Sequence, residues 1–168
     1  MKVDRILVPL DGSEMAEAAI RDALQIARPD STLLLVRAAQ ARVVPGATLL
    51  DDIQAVNEAD GYLTALKDSL EKGGCRAAIQ THVWYGVPAS VIVEAARVNR
   101  ADVIVMSTHG RSGLGRLVFG SVAESVLRGT RVPILLVRPA EAPLEQPSGQ
   151  NEARPVAAPS VTRAEASR

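Results

Sequence analysis

The sequence predicts an α/β fold: a single three-layer domain built on a five-stranded, mostly parallel sheet with helices on both faces. Two observations carry this expectation. Short runs rich in Val, Ile and Leu alternate with longer segments whose apolar residues recur at helical spacing. Most of these short runs are continuously apolar, as expected of strands buried on both faces. A β-α-β-α-β-α-β-α-β order with helical crossovers calls for parallel strands covered on both sides.

The elements follow in order. Arg5–Pro9 reads as the first strand, ended by Pro9, which has no N–H to give to a ladder. Asp11, Gly12 and Ser13 form a turn, with Ser13 as N-cap and Glu14 and Glu17 in the first helical turn. Ala16, Ala19, Ile20, Ala23, Leu24 and Ala27 give that helix one apolar face. Thr32–Val36 is the second strand, and Ala38–Leu50, containing Pro45 and Gly46, is a long connection. Leu49, Ile53, Val56, Leu63, Leu66 and Leu70 mark a longer helix through about Lys72, stopped by Gly73 and Gly74. Ala77–Trp84 is the third strand. Its alternation of Ile79, Thr81 and Val83 with Gln80, His82 and Trp84 points to an edge position with His82 on the less buried face. Pro88 opens the third helix, where its missing N–H costs nothing, and Val91, Ile92, Ala95 and Ala96 form its inner face. Val103–Val105 begins the fourth strand, Ser121–Arg128 the last helix and Pro133–Val137 the last strand. From Pro139 to Arg168 five prolines interrupt a polar stretch without apolar periodicity, which predicts a disordered tail after a folded domain of residues 1–138.

Composition excludes several classes of function. Nineteen basic residues balance 19 acidic ones, so net charge supplies no footprint for nucleic acid or an anionic membrane. Aromatics are 2% of the chain, too few for base-stacking platforms. The single cysteine, Cys75, excludes an internal disulfide and a cysteine-cluster metal site, and the two separated histidines make no metal cluster. No apolar run approaches the roughly twenty residues that span a bilayer. The chain starts directly into a strand, without a signal peptide, so a cytoplasmic location is expected.

The chemistry concentrates in Val103–Val126. A strand gives way to a loop carrying Gly110, Gly113, Gly115 and Gly120, and Ser121 and Glu124 then have the Ser-x-x-Glu spacing of a capping box. That reading makes Ser121 the N-cap and turns the Glu124 carboxylate toward the Ser121 amide. A strand, a glycine-rich loop and a helix start together hold phosphate, because backbone N–H groups and the positive dipole end converge on the anion. The Walker pattern fails, since Arg116 and Leu117 stand where Lys and Ser or Thr are needed. The dinucleotide fingerprint fails at Val118. Ser107, Thr108, His109 and Gly110, then nine residues, then Gly120 and Ser121, match a different pattern.

With this spacing the chain resembles the nucleotide-binding branch of the universal stress protein family, whose signature is Gly-x-x-Gly, nine residues, Gly-Ser/Thr. Ser107 stands where the first glycine is usual. Ile6–Ser13 and Gly86–Pro88 followed by Ala101–Met106 are further matching blocks, and the resemblance covers about Lys2 to Arg138. It implies strand order 3-2-1-4-5, which brings Pro9, Leu10 and Asp11 beside Met106, Ser107, His109 and Gly110 where the winding reverses. Open parallel sheets bind ligands at that point. It also implies that Asp11 meets ribose or adenine, that Ala38 lines the adenine pocket, and that Gly110, Gly120 and Ser121 cradle phosphates. Arg111, Gly113 and Val122 complete the implied site. Each has a plainer role open to it: turn and cap for Asp11 and Ser121, solvated loop for Arg111, packing for Ala38 and Val122, a structural hydrogen bond for His109.

The implied ligand is ATP or a related adenine nucleotide, accompanied by Mg2+, in a nucleotide-dependent stress sensor or regulator. No nucleophile–base pair stands at recognisable spacing, so hydrolysis is at most slow. A family member without nucleotide, acting through protein contacts, is the alternative. A homodimer through the apolar last strand, Pro133–Val137, is implied too.

Overall fold

A computed structural model describes residues 3–39, 49–108 and 120–138. The proposed tail, 139–168, lies outside the described residues. The elements are β1 (Arg5–Leu10), α1 (Glu14–Ile26), β2 (Thr32–Ala39), α2 (Leu49–Lys72), β3 (Ala78–Tyr85), α3 (Pro88–Val98), β4 (Val103–Ser107), α4 (Ser121–Gly129) and β5 (Ile134–Val137). The strands form one sheet in the order β3-β2-β1-β4-β5. Every pairing is parallel.

The continuous apolar runs follow from burial on two sides. Ile6, Val8, Leu10, Leu33, Leu35, Val103 and Val105 pack with α1 and α2 in one core. Their alternates Leu7, Leu34, Val36, Ile104 and Met106 pack with α3 and α4 in a second. Ala16, Ala19, Ile20 and Ala23 are the buried face of α1, and Val91, Ile92, Ala95 and Ala96 that of α3. The helix after β2 ends at Gly73 and Gly74, with Gly74 at φ +84° and the Cys75 amide donating back to the Leu70 carbonyl at 3.1 Å.

Two local expectations are corrected. Pro9 does not end β1, which runs through Leu10. The Arg5 carbonyl accepts from Asp102 on the β4 side and the Asp4 carbonyl from Thr32 on the β2 side. Alternation therefore turns the Pro9 nitrogen toward β4, beyond the last β1–β4 pair at Leu7 and Ile104, where no donor is needed. The apolar stripe of α2 is not buried along its length. Leu49 and Ile53 are exposed and the buried residues are Ala59 and Leu63. Twenty-four helical residues reach about 36 Å, whereas an eight-residue strand reaches about 26 Å, so the first turns of α2 overhang the sheet. His82 lies on the less buried face of edge strand β3, as expected, yet it is itself half-buried, and its Nε2 is enclosed with no hydrogen-bond partner among the described residues.

Side-chain bonds that no pattern announced close the amino edge of the sheet. Asp102 Oδ2 accepts from both the Asp4 and Arg5 amides at 2.8 Å, tying the start of β1 to the start of β4. Fully buried Ser31 donates to the Val3 carbonyl at 2.9 Å and accepts from the Arg28 amide at 3.0 Å.

Burial, then the neighbouring Arg5 charge, lowers the His82 pKa below its ordinary value of 6.5. Above that value both folded and unfolded chains carry a neutral ring. As pH falls below it the unfolded chain takes up the proton first, so stability is lost toward the folded-state pKa. Melting temperature should therefore drop between about pH 7.5 and about pH 5, and less steeply for His82→Gln. Parallel losses in both proteins would remove His82 as the cause.

Candidate functional site

At the carboxyl end of β1 the chain turns through Asp11, Gly12 and Ser13 into α1. Asp11 Oδ1 accepts from the Ser13 amide at 2.9 Å and from the Ser13 hydroxyl at 2.6 Å. Ser13 is the N-cap, its Oγ accepting from the Ala16 amide at 3.2 Å. Gly12 sits at φ +85°, a left-handed value that a side chain would strain. Asp11 thus holds the turn together, the plainer of its two expected roles, and stands at the edge where a ligand between β1 and β4 would lie.

The end of β4 is fastened by backbone. The Thr108 amide donates to the Val137 carbonyl of β5 at 2.9 Å, and the Thr108 carbonyl accepts from the Gly120 amide at 3.0 Å. One residue therefore joins the exits of β4 and β5 to the start of α4. Gly120 is the N-cap of α4, and among the described residues no side chain caps that end. This corrects the capping box. Ser121 is the first helical residue, the first helical bond runs from the Glu124 amide to the Gly120 carbonyl at 3.0 Å, and the Glu124 carboxylate pairs with Arg128 at 2.6 Å. The i,i+4 spacing on an exposed helix face brings Arg128 within reach of Glu124 and draws the carboxylate along the helix. An N-terminus without a side-chain cap presents backbone donors outward. The approach is close there, since a Cβ on Gly120 would lie 3.1 Å from the Thr108 oxygen.

The remaining predicted residues fall as follows. Pro9 is buried, and Leu10 and Met106 are each 5% exposed, so these three form walls rather than contact surface. Ser107 is buried at the end of β4. Ala38 is half-buried against the α3–α4 core, as is Val122. Ser121 is exposed, and its carbonyl accepts from the Ser125 hydroxyl at 2.7 Å. His109, Gly110, Arg111 and Gly113 lie outside the described residues. The fold therefore gathers Asp11, Ser107, Gly120 and Ser121 at one edge.

Sequence reasoning missed Thr108, whose role is carried by its backbone, and Arg37, whose guanidinium lies over the Tyr62 ring at 4.6 Å. A charged residue closing an apolar strand was the available signal for Arg37. The Tyr62 hydroxyl donates to Glu17 at 2.7 Å, and burial, then that bond, pushes its pKa well above the ordinary phenol value. A cavity of about 430 Å³ lies at the opposite, amino edge, between the ends of α1 and α2 near Leu24, Leu70 and Cys75. Two helix carboxyl ends and the arginines Arg28 and Arg76 border it. Among the described residues no group of three or more His, Cys, Asp or Glu could hold a metal ion, and no helix is long and apolar enough to cross a membrane.

A doubly wound parallel sheet with a helix start at its winding reversal defines a class of small-ligand α/β domains. The chain belongs to the universal stress protein family, whose model matches residues 2–138. A universal stress protein of Methanocaldococcus jannaschii, MJ0531, is 32% identical over 140 residues, 80% of this chain and 81% of that one. The structure of the hypothetical protein MJ0577, solved for a structure-based assignment of its biochemical function, superposes with a TM-score of 0.74 at 25% identity, covering 84% of this chain and 99% of that chain. A universal stress protein in complex with cAMP superposes with a TM-score of 0.59 at 23% identity, covering 80% and 97%. A universal stress protein family protein of Arabidopsis thaliana with AMP bound does so with a TM-score of 0.56 at 19% identity, covering 83% and 97%.

The Gly120 contact yields a direct expectation. Gly120→Ala should lower stability by about 1–2 kcal/mol, since the methyl group must push back the Thr108 carbonyl and weaken the bond it accepts. Chemical denaturation would measure this, and an unchanged midpoint would show that the contact is not tight in solution.

Proposed function

We propose that this chain binds an adenine nucleotide, ATP or a close relative, at the β1–β4 reversal and acts as a nucleotide-dependent stress-response sensor or regulator. The observation that carries this reading is the start of α4, which has no side-chain cap among the described residues and is held through Thr108 at the end of β4, on the edge that also carries the Asp11 turn. Backbone amides at such a helix start suit a phosphate. Asp11 would accept from ribose hydroxyls or the adenine edge. Ala38 and Val122 would meet the base and the phosphate end, over walls formed by Pro9, Leu10, Met106 and Ser107. His109, Gly110, Arg111 and Gly113 complete the phosphate loop in this proposal. The cAMP and AMP complexes of structural neighbours support adenine as the base.

Mg2+ would ride on the phosphates rather than in a protein cage. Hydrolysis would be slow at most, because no side chain among those named is placed as a base or to orient water. Binding to the folded chain alone would raise its stability by mass action, which is one way a bound state could be read out in the cytoplasm.

A second reading, contact between protein surfaces without nucleotide, draws on two observations: Ser107 in the usual glycine position, and β5 as the terminal strand of the sheet among the described residues. Leu135 on that strand is 38% exposed, and β5 ends the sheet. Pairing of β5 with its symmetry mate would cover this edge and form a homodimer.

Two measurements test these readings. Freshly purified protein, denatured and examined by mass spectrometry, should release an adenine nucleotide, whereas a Gly120→Val variant that still melts cooperatively should release little. An empty wild-type protein that ATP and Mg2+ fail to stabilise thermally would count against nucleotide binding. Light scattering at micromolar concentration should give twice the monomer mass, and Leu135→Lys should shift it to the monomer. A monomeric wild type would sink the β5 pairing.

A further inference from the structure

Arg37 occupies an unusual place for a cation. It pairs in register with Leu10, the last residue of β1. Alternation with Leu33 and Leu35 puts it on the α1–α2 face of the sheet. Its guanidinium rests on the Tyr62 ring, and a methyl group on Gly12 would lie 3.4 Å from both Nη1 and Nη2. Tyr62 is itself pinned, its hydroxyl donating to Glu17 Oε1 at 2.7 Å. The cation is therefore held by an aromatic platform on one side and the Asp11–Ser13 turn on the other.

Among the described residues Arg37 stands in no ion pair. The ion pairs among the described residues join Arg28 to Asp30, Lys67 to Glu71, Arg97 to Glu94 and Arg128 to Glu124. Of the carboxylates at this corner, Asp11 accepts from Ser13 and Glu17 from Tyr62. Two carboxylates at the edge would repel a polyanionic ligand, and a fixed guanidinium directly behind the turn offsets that repulsion.

We propose that Arg37 is a specificity determinant of the nucleotide site: a fixed positive charge behind the Asp11–Ser13 turn that favours phosphorylated adenine ligands over adenosine. This rests on the nucleotide reading given above and names what the site selects. Arg37 acts through its field on the ligand's phosphates. The Gly12 turn packs against it, and the Tyr62 ring holds it from the other side.

The test is titration calorimetry on the full chain with ATP and with adenosine, at low and at high salt. Arg37→Met, which keeps the bulk of the side chain, should weaken ATP about three- to tenfold and adenosine by less than about twofold. The change in their ratio should shrink at high salt. Arg37→Lys should restore most of the ratio, because it restores the charge, and Tyr62→Phe should leave it unchanged, because the ring remains. A purely packing role would weaken both ligands equally, so an unchanged ratio in Arg37→Met at a wild-type melting temperature overturns the proposal. Should Arg37→Met not fold, Arg37→Gln provides the neutral side chain and the same two outcomes. Wild-type protein that binds neither compound refutes the nucleotide reading itself, an outcome separate from an unchanged ratio, and takes this determinant with it.

Discussion

The parallel pairing of β1 with β4 is the constraint on which the rest of the structure depends. These strands are distant in sequence, and only two register pairs join them, Ile6 with Val103 and Leu7 with Ile104. So short a ladder is reinforced from its amino end, where Asp102 takes the Asp4 and Arg5 amides on one carboxylate oxygen. It is sandwiched by both cores, since Ile6 and Val103 face α1 while Leu7 and Ile104 face α3 and α4. Beyond the last pair the strands are free to part. Pro9 lies in that parting and, lacking an N–H, cannot extend the ladder toward β4. The crevice that an open parallel sheet has at its winding reversal thus has a local chemical cause here.

On either side of the crevice, backbone rather than side-chain chemistry sets the geometry. On one side the Asp11–Gly12–Ser13 turn is closed by bonds within itself. On the other, Thr108 uses its amide and carbonyl to join β5 to the head of α4. Backbone donors at a helix start carry no titratable group, so an anion held there is held at any pH at which the fold survives. The same geometry accounts for two glycines. Gly12 supplies a positive φ, and Gly120 allows an approach to Thr108 that a Cβ would crowd.

Charge around the site follows a consistent plan. Glu124 and Arg128 satisfy one another along α4, which keeps a carboxylate from turning toward the helix head. Arg37 and Tyr62 do the opposite on the far side of the Asp11 turn, storing a cation against a ring. Family membership extends over the whole described domain.

Much of the architecture was legible in the sequence. Buried parallel strands need apolar residues on both faces, so Ile6–Val8 and Val103–Val105 announced themselves, and alanine-rich stripes announced the close-packed faces of α1 and α3. The Ser13 cap, the Gly73–Gly74 stop and the edge position of β3 were legible for the same reason: each is a local energetic preference that the fold does not override. The position of the candidate site came from motif and topology together. Tertiary structure alone decided the rest. Whether Ser121 or Gly120 caps α4 depends on where Thr108 places the helix head, and Glu124 follows Arg128 because the pair meets on an exposed face. The burial of His82, the overhang of Leu49 and Ile53, and the stacking of Arg37 on Tyr62 each depend on which distant segment comes to lie alongside. Spacing along the chain reports the periodicity of one element, and these outcomes are set by contacts between several.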